Sequence, residues 1–169
     1  MLRPARLISA PQLMAASFAA AIGLAAPHCH AAAGGPFQSF AGQWTGDGQV
    51  IQAKGARERI RCRADFTESR QGAALNQSIV CASQSYRIDI SSYAEAVGGS
   101  VQGTWSEASR GVSGHLTGRV GDGRFVGTVV GPGFTAEISL VSNGQRQVIH
   151  IEPSGSDIAD VHIELERHG

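Results

Sequence analysis

The chain has 169 residues, with 14 basic and 14 acidic side chains, 22 glycines and 3 cysteines. That charge balance excludes nucleic acid as a natural partner, because a polyanion selects a clearly basic surface. The length suits one domain behind a leader, and the part after the leader is roughly twice as glycine-rich as an average protein.

The opening MLRPARLISAPQLMAASFAAAIGLAAPHCHAAAGG reads as a secretory signal. Arg3 and Arg6 form its positive start, Leu13 to Ala26 its apolar run, and Ala31-Ala32-Ala33 the small residues a signal peptidase accepts. The run is shorter than the roughly 20 residues a spanning helix needs, so cleavage near Ala33 is expected rather than anchoring. Cys29 leaves with the leader, since Ala26-Pro27-His28 lacks the small residues that precede a lipoprotein cysteine. No later stretch is long and apolar enough to give stable membrane insertion. The expected organisation is a signal peptide over 1–33, a short linker over 34–38 and a β-barrel domain over 39–167, in a bacterial protein that is periplasmic or secreted. Losing Arg3 and Arg6 leaves 12 basic side chains against 14 acidic ones.

The first strand lies in FAGQWTGDGQV, where a tryptophan sits among glycines. If Lys54-Gly55-Ala56 is a three-residue loop, Trp44 falls opposite Phe66, Gly46 opposite Ala64, Gly48 opposite Cys62 and Val50 opposite Ile60. Asp47 then meets Arg63 on the outside. A two-residue loop would turn Trp44 outward and set Asp47 against Cys62, because a slip of one residue exchanges the two faces. The indole is therefore expected inside, with the neighbouring glycines giving it room.

ERIRCRADF and LNQSIVCAS are strand-like and flank SRQGAA, where Gly72 can take the positive φ of a tight turn. With Gln71-Gly72 as the loop, Cys62 lies opposite Cys81, Ala64 opposite Ile79 and Phe66 opposite Gln77. Turn chemistry, alternation and cysteine placement agree on a Cys62–Cys81 disulfide. Zinc is the rival use of two cysteines, but there is no CxxC spacing and no nearby histidine to support it.

Alternation continues to the end of the chain. Tyr86, Ile88 and Ile90 share one side, as do Val101, Gly103 and Trp105, then Val112, Gly114, Leu116 and Val120. Phe125, Gly127 and Val129 follow, then Phe134, Ala136, Ile138 and Leu140, with VGGS, GDG and Asn143-Gly144 as turn signals. QVIHI and VHIELER close the series. Some ten short strands, with turns every eight to twelve residues, mean an all-β sandwich or barrel. Glycines 46, 48, 103, 114, 118 and 127 fall on the apolar phase, where they let strands bend or make space for large neighbours. They favour an antiparallel up-and-down barrel of about 8–10 short strands over an open sandwich.

Gly42-Gln43-Trp44, opening the first strand near the expected mature start, resembles the GxW motif of the calycins. That group includes lipocalins, avidins and serralysin-type protease inhibitors. FAGQWTGDG and GGSVQGTWSE are similar to avidin-type strands. The chain also resembles uncharacterised exported bacterial proteins of this length. In lipocalins the motif's tryptophan closes the barrel floor beneath an arginine from a late strand. The resemblance implies Trp44 and Arg167 in those barrel-closing roles. The lipocalin TDY-type loop and the polar and tryptophan set of an avidin biotin site are not found.

Chemistry is sparsely signalled. His150 and His162 face each other if PSGSD turns near Ser156, with Glu152 and Glu164 close by. This is a half-built zinc or copper site, set against the plainer reading of polar residues on a solvent face. Arg57, Arg59, Arg61 and Arg63 project from one side of a strand about 6.6 Å apart, as an anion-binding ladder or a solvated row that shields a sheet edge. There is no GxSxG elbow, no ordered Ser/His/Asp set and no phosphate cradle, so no catalytic residue and no cofactor is assigned.

The expected activity is binding. A mostly apolar interior lined by Trp44, Val50, Phe66, Trp105, Leu116, Phe125, Phe134 and Ile138 would take a small hydrophobic ligand. The alternatives are an inhibitor of an exported protease, inserting GGPFQSF into its target, and a passive envelope component without a ligand.

Overall fold

The computed structural model describes residues 34–168, and the expected signal peptide lies outside them. Every regular element among the described residues is a strand: β1 (Gly42–Gln52), β2 (Arg57–Ser69), β3 (Ala74–Ala82), β4 (Arg87–Val97), β5 (Ser100–Glu107), β6 (Val112–Gly121), β7 (Arg124–Gly131), β8 (Phe134–Ser142), β9 (Arg146–Ser154) and β10 (Ile158–Arg167). Each strand pairs antiparallel with its sequence neighbours, and β1 also pairs with β10, so the ten strands close into an up-and-down barrel. Closure removes the sheet edge that the arginine row was expected to shield: β2 is bonded on both sides, to β1 and β3. No helix among the described residues is long and apolar enough to cross a membrane.

The β2–β3 hairpin has the expected register, with Cys62 opposite Cys81, Ala64 opposite Ile79 and Phe66 opposite Gln77. Its turn carries positive φ at Gln71 (57°) and Gly72 (81°), and the Ala73 amide donates to the Arg70 carbonyl at 3.2 Å. Arg70 is left-handed as well (φ 53°), and the Gly72 amide donates to the Ser69 carbonyl at 3.1 Å, so two overlapping turns span the four residues between the last pair, Ser69 and Ala74, with Gln71-Gly72 central to the second. Cys62 and Cys81 form a disulfide, their Cα atoms 4.1 Å apart.

The β1–β2 register differs from expectation by two residues. Trp44 pairs with Ala64, Gly46 with Cys62, Gly48 with Ile60, and Asp47 with Arg61 rather than Arg63. The loop does hold three residues, but they are Ala53-Lys54-Gly55, closed by the Gln52 amide donating to the Ala56 carbonyl at 2.8 Å. Gly55 takes φ 88° at the last loop position, where a three-residue hairpin needs a left-handed residue. A slip of two keeps every side chain on its expected face, so Trp44 remains inside, 1% exposed.

Asn143-Gly144 also turns the chain, one residue out of phase with a type I′ pair. Gly144 (φ 84°) is the first central residue, and Asn143 precedes it, its Oδ1 accepting from the amides of Gln145 (3.0 Å) and Arg146 (2.8 Å). This is the type II′ arrangement, in which glycine leads.

The barrel floor, at the start of β1 and the end of β10, is sealed by the stretch before β1. Phe37 and Phe40 are buried, and the Phe37 amide donates to the Gly72 carbonyl at 3.1 Å. Residues 34–38, expected as a linker, thus supply part of the core. The Phe40 carbonyl accepts from Trp44 Nε1 (3.0 Å) and from Gln147 Nε2 (2.8 Å), while Ser142 Oγ donates to the Ser39 carbonyl at 2.6 Å. Side chains of β1, β8 and β9 therefore tie the plug to the wall.

Candidate ligand cavity

Above this floor the barrel is hollow. A cavity of about 560 Å³ runs from Phe37 and Phe40 up to Tyr86, Arg110 and Asp157 at the opposite end, the mouth. Its wall is made by the inward phase of the strands, so the alternation that forms each strand also makes the interior apolar. Small inward residues keep the space open. Ala94 and Ala136 lie on the wall, and Gly118 faces Gly127 across β6 and β7. A Cβ at Gly127 would come within 2.7 Å of the Phe125 ring, so that ring lies over bare backbone.

Six of the eight residues expected to line the interior do so: Phe66, Trp105, Leu116, Phe125, Phe134 and Ile138. Trp44 and Val50 do not reach the cavity wall and are packed solid in the core. The Arg167 guanidinium carbon sits 4.4 Å from the Trp44 ring centroid, directly across the β1–β10 pairing, and Arg167 Nε donates to the Gly144 carbonyl. The cation therefore caps the indole at the floor.

Trp105 occupies a distinct position near the mouth. Its indole covers Gly114 and Gly131, where an added Cβ would approach it to 2.9 Å and 2.8 Å. Nε1 donates to the Val130 carbonyl at 3.2 Å, and the ring tilts against Phe134 with centroids 5.7 Å apart. An open groove on the outer wall is also lined by Trp105, Gln77 and Ser92, which line the cavity as well. The partition between inside and outside is one side chain thick there.

Polar groups on the cavity wall are few and mostly engaged. Ser92 Oγ donates to Gln77 Oε1 at 2.6 Å. Glu107, only 5% exposed, accepts from the amides of Asp89 (3.0 Å), Ser109 (3.0 Å) and Arg110 (2.8 Å), and Arg110 Nη1 lies 3.6 Å away. Burial pushes the Glu107 carboxyl up, but the hydrogen bonds from Asp89, Ser109 and Arg110 outweigh it and hold the group below its ordinary value. A carboxylate with its oxygens committed to amides is a turn fastener, poorly placed to take a proton from a ligand.

Outside the barrel, Arg57, Arg59, Arg61 and Arg63 form an exposed row on β2, and Asp47 approaches Arg61 at 3.8 Å. His150 pairs with His162 across β9 and β10, with ring centroids 6.1 Å apart. Sequence reasoning missed the floor phenylalanines Phe37 and Phe40, which precede any alternation. Asp160, near His150 in the sequence but given no role on that ground, contacts His150 Nε2 through its carboxylate.

No family model and no curated protein matches this sequence. Among solved structures, the chain is similar to Rv2717c from M. tuberculosis, with 12% identity, a TM-score of 0.61, and 78% of this chain and 94% of that one covered. It is also similar to the S-type phycobiliprotein lyase CPES from Guillardia theta, with 12% identity, a TM-score of 0.59, and coverage of 79% and 90%. Both are ten-stranded antiparallel barrels of the calycin-like kind, and the likeness is one of fold.

Proposed function

We propose that this chain is an exported binding protein that holds a small hydrophobic molecule inside its barrel. The observation that carries the reading is the apolar cavity of about 560 Å³, closed at one end and reaching the other. Ligand pockets span roughly 300–1,000 Å³ and pair an apolar lining with a few polar groups, as here with Gln77, Ser92 and Arg110. The likeness to a phycobiliprotein lyase supports a small-ligand use of this barrel shape. Export is supported by the character of the leader and by the Cys62–Cys81 bridge, since such bonds persist in oxidising compartments. Binding without reaction is favoured because the buried Glu107 is already saturated by amides.

The protease-inhibitor reading needs the segment before β1 to be free for insertion, and the burial of Phe37 and Phe40 counts against it. A passive envelope component would have no use for the interior volume.

Native mass spectrometry of freshly purified protein tests the proposal. A carried molecule is expected on the wild type and lost from Ala136→Phe, which fills the wall from a buried position with the fold checked by circular dichroism. A bare wild type that also takes up hydrophobic fluorescent probes no better than the filled variant would end the reading.

A further inference from the structure

The outer face of β9 and β10 gathers four metal-ligating side chains into a square. His150 lies opposite His162, and Glu152 and Asp160 extend the same two strands on the same face. The ligand atoms of His150, Glu152 and Asp160 all lie within 4.8 Å of one another. His150 Nε2 is the shared vertex, 3.8 Å from Glu152 Oε1 and in contact with Asp160 Oδ2. Two further observations set this cluster apart from an ordinary polar surface. The β1–β10 register shifts between Ile51 and Gln52, whose partners are Asp160 and Ile158, and such a bulge re-aims the side chains beside it. Glu137 on β8 pairs with Glu152, so three carboxylates cross neighbouring strands in one row. Among the described residues, no arginine or lysine lies within 4.0 Å of any of them. Like charges placed side by side repel, and a cation would offset that.

We propose that this face is a divalent transition-metal site, with zinc the ion of best fit, held by His150, Glu152 and Asp160 and completed by His162. Imidazole and carboxylate together suit zinc better than calcium or magnesium, which prefer oxygen shells. Zinc binds both donor types at about 2.0–2.2 Å, which places ligand atoms about 3.4 Å apart in a tetrahedron. The three donors reach that spacing by small rotations of exposed or half-exposed side chains. His162 turns its ring away from Glu164, whose Oε1 now lies 3.4 Å from Nε2, to become the fourth ligand.

Titration of the purified full chain with zinc sulfate, followed by calorimetry and thermal unfolding, tests the site. The wild type is expected to gain one zinc and a higher melting temperature beyond what His150→Ala/Asp160→Asn shows, with His162→Ala intermediate. Because His28, Cys29 and His30 are present in both chains, the difference isolates this face. Should the double variant be unstable, Glu152→Gln with cobalt(II) serves instead: tetrahedral visible absorption is expected in the wild type and lost in the variant. Equal zinc uptake and equal melting shifts in wild type and double variant would overturn the proposal. So would a cobalt spectrum that Glu152→Gln leaves unchanged.

Discussion

Arg167 stacks on Trp44 and donates to the Gly144 carbonyl, joining the last strand to the floor with one side chain. A cation over an indole contributes about 0.5–2 kcal/mol, and a hydrogen bond about 1 kcal/mol more. Arg167→Ala should therefore lower stability by about 1–3 kcal/mol in urea unfolding and shift Trp44 emission, whereas Arg167→Lys should lose less. Glu107 makes a prediction about pH. Its folded carboxyl titrates below the ordinary value, so its contribution is fully present above the unfolded pKa and disappears as pH falls through the folded one. Glu107→Gln presents an NH2 group to amides that need acceptors, and should cost about 1–3 kcal/mol at neutral pH. That difference from wild type should shrink as the solution is acidified below about pH 4, the ordinary carboxylate range. A gap constant from neutrality to strong acid would show that the hydrogen bonds do not depend on the charge.

At the scale of elements, the β2–β3 hairpin carries the covalent link. A bridge between residues 19 apart removes about 3 kcal/mol of freedom from the unfolded chain in the entropic account. Replacing both Cys62 and Cys81 with alanine should lower the urea midpoint accordingly, while circular dichroism keeps the barrel signature because the strands stay paired on both sides of the lost bond. This hairpin was legible in the sequence, since the turn glycine and the two cysteines point to one register and strand alternation is consistent with it. β1 was legible only in part. Period-two alternation distinguishes a slip of one residue and is blind to a slip of two, so Trp44 was placed on the correct face with the wrong partner. The Gly55 position would have decided the register, because its left-handed φ belongs at the end of a three-residue loop. The interior followed a different logic. Alternation tells which side chains point inward, and six expected residues line the cavity, but no pattern along one strand reports how much space ten strands enclose. Asp160 shares the outer face in the same register that sets His150 opposite His162, and only its direct contact with His150, a matter of side-chain rotamers, lies beyond what alternation reports.

For the whole molecule, the barrel is a vessel whose bottom is not made by its strands. Closing a sheet removes its edges but leaves two ends, and here Phe37 and Phe40 fill one of them from outside the β-structure. Their burial ties the stability of the barrel to its capacity to hold a ligand. A chain beginning at Ala41 would lose both rings, the Phe37–Gly72 hydrogen bond and the Phe40 carbonyl that satisfies Trp44 and Gln147. Gln147 would be affected most, since it is fully buried and its Oε1 already has no hydrogen-bond partner among the described residues. Removing a buried phenylalanine side chain costs about 3–5 kcal/mol, and stranding buried donors costs about 1–3 kcal/mol each, which together approach the total stability of an ordinary domain. Phe40→Ala is the milder form: a loss of about 3–5 kcal/mol in urea unfolding, with faster release of a bound hydrophobic probe because the floor now leaks. If the variant unfolds like wild type and releases the probe at the same rate, the phenylalanines are bystanders and the strands alone must seal the vessel.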